Sequence, residues 1–119
     1  MRLLGMFYLC LFCVFGTVVS ASAQSPINAP YHFTGSDLNN LCHSHYDTDY
    51  GLCAGYVTGI ADVMLQQDVY GASACGHRNV KSEQLIALVN RYLENNPKAH
   101  SIPARDVVSL TLARAFPCD

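Results

Sequence analysis

Four cysteines, Cys42, Cys53, Cys75 and Cys118, follow what reads as an export leader, and that pairing constrains the fold more than any other feature of the sequence. After Arg2, the stretch from Leu3 to Val19 carries no charge, and the small residues of "ASA" follow at Ala21–Ala23. This is the anatomy of a secretory signal over residues 1–23, with cleavage before Gln24. An uncleaved anchor is the competing reading, because about 18 apolar residues can span a bilayer. The small-residue site and the polar, proline-bearing "QSPINAPYH" favour cleavage, and Cys10 and Cys13 leave with the leader. Residues 24–119 then make a single domain. An even number of cysteines in an exported chain reads as two disulfides. A domain of this size buries only about 60–65% of its unfolded surface, so such staples matter to it.

Hydrophobic spacing predicts helices throughout. Gln24 to Thr34, with Pro26 and Pro30, reads as an extended arm. In "TGSDLNNLC", Ser36 is the expected N-cap and Asp37 sits in the first turn, where a negative charge suits the helix dipole. Leu38, Leu41 and Cys42 share one face, and this helix should end near His43. A second helix is expected from Asp49 to Gln67, with Leu52, Cys53, Tyr56, Val57, Ile60, Ala61, Met64 and Leu65 as its apolar positions. "DVYGASACGHRNV" breaks the pattern at Gly71 and Gly76 and reads as a loop. Ser82 should cap a third helix with a stripe of Leu85, Leu88, Val89, Tyr92 and Leu93, ended by Asn95, Asn96 and Pro97. Pro103 suits the first turn of a fourth helix, in which Val107, Leu110, Thr111 and Arg114 trace one face before Pro117 stops it. No segment alternates well enough for a strand. The expected fold is all-α, a small up-and-down bundle of about four helices stapled by disulfides. In such a bundle Cys42 approaches Cys53 and Cys118 approaches Cys75. Four cysteines nevertheless allow three connectivities, and the sequence leaves the choice open.

The chemistry-bearing residues mostly favour plain explanations. "CHSHYD" offers Cys42, His43, His45 and Asp47 as metal ligands. The motif is short, however, and an exported thiol is better explained by a disulfide. A cysteine nucleophile needs a free thiolate beside a histidine, which the sequence neighbours Cys42–His43 and Cys75–His77 do not supply. Ser36, Ser82 and Ser101 fall at helix starts and read as caps. No phosphate-binding glycine loop, paired carboxylate site or dinucleotide fingerprint is present, so neither an enzyme, a cofactor nor a metal is expected. The mature part is mildly acidic without a basic stripe, which argues against nucleic acid and anionic membrane as partners. Asp62, between Ala61 and Val63, either faces solvent or caps a neighbouring element.

"CAGYVTGIADVM" poses a sharper question, because Gly55 and Gly59 each cost a helix interior roughly 0.5–1 kcal/mol relative to alanine. Their small-xxx-small spacing lets two helix axes approach closely. Asp49, Asp62, Gln66 and Gln67 rule out the membrane version of the motif. The two glycines therefore read as a flat strip for another helix, within the bundle or across a dimer, with dispersion at short range offsetting the lost propensity.

"FTGSDLNNLC", "YGLCAGYVTGIADVM", "SEQLIALVNRYLENNP" and "IPARDVVSLTLARAFPC", in this order from Phe33 to Cys118, resemble the Rap/Tai family of immunity proteins against type VI secretion amidase effectors. The specific parts are the Cys-x-Gly-Tyr-Val-x-Gly-Ile-x-Asp run and the terminal Ala-Phe-Pro-Cys. "ACGHRNV" departs from the family, which typically has Cys-Leu-Pro before the valine. The resemblance implies a periplasmic, disulfide-bonded helical protein that binds a peptidoglycan amidase and blocks its cleft, in some members as a dimer with loops inserted into the enzyme. Loop position, rather than any family residue, nominates His77, Arg78 and Asn79 in one loop and Asn96, Lys98 and His100 in another as partner-binding. Small helical acid-stress chaperones are the contrasting class, with histidines as charge switches near pH 6. A periplasmic domain that keeps the family fold but neutralises no effector is a third reading. His32, His43, His45, His77 and His100 are all expected in loops or the arm, where charging would disturb no core.

Overall fold

The computed structural model describes residues 32–119. The leader, its cleavage site and most of the arm lie outside the described residues. The element order is α1 (Gly35–Cys42), α2 (Asp47–Met64), α3 (Ser82–Asn95), a short 3₁₀ turn (Pro97–Ser101) and α4 (Ala104–Ala115). Among the described residues there is no strand, only isolated bridges at Thr34–Pro103 and Val69–Ala72. The all-α reading holds.

Helix boundaries shift for local reasons. Thr34, not Ser36, caps α1: its hydroxyl accepts from the Asp37 amide at 3.3 Å, and the Asp37 carboxylate accepts from the Thr34 amide at 2.9 Å. This reciprocal pair is a capping box that satisfies two orphan donors together. Helix α2 begins earlier than expected, at Asp47, with Asp47 and Asp49 both in its first turn. It also ends earlier, at Met64, because the Leu65 and Gln66 amides tighten onto the Asp62 and Val63 carbonyls. Lys81 rather than Ser82 holds the N-cap position of α3, where the Gln84 side chain accepts from the Lys81 amide at 3.2 Å. Pro103 stands one residue outside α4, at its N-cap.

The buried stripes converge on one core. Leu38 from α1, Val57 from α2, Val89 and Leu93 from α3, and Val107 and Leu112 from α4 have no solvent exposure. Burying a side chain of this kind contributes roughly 1.5–3 kcal/mol. The 3₁₀ turn crosses the start of α1, where the Gly35 amide donates to the Ile102 carbonyl at 2.9 Å and the Ala104 amide donates to the Phe33 carbonyl at 2.8 Å. A Cβ on Gly35 would run into the carbonyl oxygen of Ala99, so this close crossing requires glycine.

Two disulfides fasten opposite ends of this bundle. Cys42–Cys53 spans 11 residues between α1 and α2, and Cys75–Cys118 spans 43 residues from the α2–α3 loop to the chain end. Loop-closure entropy puts these at roughly 3 and 4 kcal/mol respectively. Cys42 is thereby unavailable as a metal ligand. Among the described residues no helix is long and apolar enough to cross a membrane.

Candidate interaction surfaces

Helix α3 separates the two loops nominated as partner-binding. It has 14 residues, so residues 77–79 before it and residues 96–100 after it lie about 21 Å apart at 1.5 Å per residue. At the far loop, Lys98 is exposed, the Asn96 side-chain Nδ2 donates to the Tyr92 carbonyl at 2.7 Å, and His100 Nε2 donates to the Leu93 carbonyl at 3.2 Å. Asn96 and His100 thus spend their polar groups in ending α3.

The near loop, residues 65–81, is built around left-handed backbone. Val69 and Ala72 exchange both amide hydrogen bonds at 3.0 Å around Tyr70 (φ 51°) and Gly71 (φ 78°). Two positive φ values in a two-residue connection are what a type I′ turn needs. Gly76 (φ 75°) then turns the chain inward, and His77 follows it into the core. His77 is 3% exposed, its Nε2–H donates to the Ala61 carbonyl at 2.7 Å, and its ring packs against Phe116 at 5.6 Å. The expectation that every histidine lies clear of the core fails here, and His77 presents no side chain to a partner in the folded protomer. Arg78 and Asn79 are exposed and make no hydrogen bond or ion pair among the described residues. Beside them lies a cleft of about 340 Å³ lined by Gln66, Asp68, Ser73, Arg78 and both cysteines of the Cys75–Cys118 bond.

A third surface lies on the outer side of α2. Nothing comes within 4 Å of the position a Cβ would take on Gly55 or Gly59, so the glycine strip faces away from the bundle. Leu52 (60% exposed) and Val63 (41%) extend the strip, and Tyr70 (71%) rises beside it from its turn. The Arg105 guanidinium lies 4.4 Å over the Tyr70 ring. Asp62 is exposed, which decides between its two readings in favour of solvent. Tyr56 is half-buried between Phe33 (5.0 Å between centroids) and the strip, and burial pushes its hydroxyl pKa up against a smaller lowering by Arg105. Tyr70 and Arg105 were not singled out by sequence. The Tyr-Gly pair in "DVYGAS" was the signal that a turn projects an aromatic there.

The family model described as Rap1a immunity proteins matches residues 34–118, from the α1 cap to the second disulfide. The chain belongs to the Rap1a immunity protein family. A Rap1a protein has an effector-immunity role, binding a toxic effector rather than processing a substrate, and proteins of this family are generally not enzymes. No curated protein is significantly similar in sequence. Within the Rap1a match, the departing segment "ACGHRNV" is the one that carries the second disulfide, the buried His77 and the free Arg78.

Proposed function

We propose that this protein is a periplasmic immunity factor that binds a peptidoglycan amidase delivered by type VI secretion and occludes its active-site cleft. The observation that carries the reading is the Rap1a family match over residues 34–118. Two physical features support occlusion as the mechanism. The bundle is held at both ends by disulfides, so a loop docking from it loses little conformational freedom on binding. The loop of residues 65–81 offers Arg78 and Asn79 with unspent hydrogen-bonding capacity, as an anchor entering a polar cleft requires. This loop is the assigned cleft-filling element, and Lys98 at the other end contacts only a partner large enough to reach round the bundle.

The α2 strip takes a second copy of this chain. Within the strip itself Leu52, Gly55, Gly59 and Val63 carry no charge, with Asp62 and Arg105, of opposite sign, at its margin. A two-fold contact sets each residue against the same patch on the partner, so a charged centre would repel itself and an uncharged one does not. Close approach at the glycines then offsets their propensity cost. Gly59→Arg should leave the protomer folded and shift light-scattering mass from dimer to monomer. A wild-type protein monomeric at high concentration would remove this contact.

The functional test uses secretion. The full chain, Met1 to Asp119, should protect cells whose periplasm receives the amidase, whereas a chain starting at Gln24 should not. Equal protection by both would contradict a periplasmic site of action.

A further inference from the structure

The two disulfides differ in one respect that bears on the loop assigned to the partner. Cys42 and Cys53 are buried, at 6% and 0% exposure, in the core between α1 and α2. Cys75 and Cys118 are both exposed, and both line the 340 Å³ cleft beside Arg78. We propose that the Cys75–Cys118 bond is a reducible latch: a dithiol reductant of the thioredoxin class opens it while the bundle stays folded, and opening loosens the part of the loop around Cys75 that stands beside Arg78 and so weakens partner binding. The binding half of this inference rests on the proposed immunity function, and the latch itself does not.

The geometry gives the latch its reach. The bond ties the loop to the segment that follows α4, which stops at Ala115. With the bond in place, the Cys75 amide donates to the Phe116 carbonyl at 2.8 Å and the Phe116 ring packs on His77. Without it, Phe116 stays on the core with its amide donating to the Leu112 carbonyl at 2.8 Å, and the tie between the loop and residues 117–119 reduces to the Cys75–Phe116 backbone hydrogen bond. His77 would still donate to Ala61, so the change is confined to the loop and tail, and the helices keep their own contacts. The bundle core is closed independently by the buried bond.

The chemistry is thiol–disulfide exchange, and it balances. A thiolate of the dithiol attacks one sulfur of the Cys75–Cys118 bond; that bond breaks, a mixed disulfide forms, and the released cysteine takes a proton. The second thiolate of the reductant attacks the mixed disulfide and releases the other cysteine, which is protonated in turn. Two electrons and two protons pass to the protein, and the dithiol becomes a disulfide. Access of the attacking sulfur governs the rate, and the Arg78 charge at the cleft favours an arriving thiolate. The buried Cys42–Cys53 bond offers no such approach.

The test uses protein secreted from the full chain and purified oxidised. Folded protein is exposed to graded dithiothreitol, trapped with iodoacetamide and mapped by mass spectrometry. Cys75 and Cys118 should become alkylated at roughly tenfold lower reductant than Cys42 and Cys53, with helical circular dichroism retained and amide exchange accelerated at Cys75 and its immediate neighbours. Both bonds opening together with loss of helix would overturn the latch. The Cys75→Ser, Cys118→Ser double variant, checked for helix content, should inhibit the amidase at least about tenfold more weakly than the oxidised protein, a coupling of ordinary allosteric size. Equal inhibition would show that the loop is not under the bond's control. If even the oxidised protein inhibits no amidase, the immunity proposal fails, while alkylation and exchange still decide the latch.

Discussion

Gly35 and Gly59 are the same residue type in the same class of element, and the structure asks opposite things of them. At Gly35 a methyl group would strike the Ala99 carbonyl, a backbone atom fixed by the 3₁₀ turn. Gly35→Ala should therefore lower stability by roughly 1–3 kcal/mol, as overpacking does. At Gly59 a methyl group meets open space, so Gly59→Ala should raise protomer stability by roughly 0.5–1 kcal/mol through helix propensity. Thermal denaturation of the two variants at a concentration that keeps the protein monomeric separates them, and a stability loss at Gly59 would contradict the outward-facing strip. Thr34 and Asp37 offer a second test at this scale. The hydrogen bond from the Thr34 side chain, then that from its amide, holds the Asp37 carboxyl below its usual 3.8. A carboxylate with a depressed folded pKa stabilises the fold above the unfolded value, and loses that contribution as pH falls through the folded one. The stability gap between wild type and Asp37→Asn should thus be full above about pH 4 and shrink in more acid solution. Thr34→Ala should cost about 1 kcal/mol at neutral pH.

Among the elements, the two ends of the bundle should respond differently to loss of their staples. Removing Cys42–Cys53 with paired serines leaves two hydroxyls buried in the core, so about 1–3 kcal/mol for each adds to the roughly 3 kcal/mol of loop entropy and brings the cost to about 5 kcal/mol or more. Removing Cys75–Cys118 leaves exposed serines and should cost no more than its entropy, roughly 4 kcal/mol. Chemical denaturation measures both, and a larger loss at the exposed bond would contradict this ordering. Sequence periodicity located all four helices because their buried stripes, such as Leu85, Val89 and Leu93, follow helical spacing. Caps were misplaced where a side chain two residues earlier did the capping, as Thr34 does for Ser36. Up-and-down topology favoured the observed disulfide pairing without deciding it, since Cys53 lies within α2 and Cys75 in the loop after it rather than at a helix end. His77 was not legible: its burial depends on the positive φ at Gly76 and on an acceptor 16 residues away at Ala61. Nor could spacing alone say which way Gly55 and Gly59 face, since α2 is apolar on its inner and outer sides alike.

For the molecule as a whole, a small Rap1a scaffold stapled at both ends carries an exposed polar loop and an apolar strip. Val69 and Tyr70 of the loop border the strip, but Arg78 lines the separate cleft beside Cys75–Cys118, so mutation at Arg78 and at Gly59 separates partner binding from self-association. Arg78→Glu should weaken inhibition by roughly tenfold or more, as expected for a truncated interface anchor, without changing the melting temperature or the mass in solution. Gly59→Arg should do the reverse and change the mass. The most direct test of the central claim is a titration of the purified, oxidised protein against the amidase effector encoded beside its gene, read as peptidoglycan hydrolysis. Occlusion predicts that activity falls linearly with added protein and reaches zero at a fixed molar ratio, independent of incubation time. Full activity in the presence of excess folded protein would contradict the account.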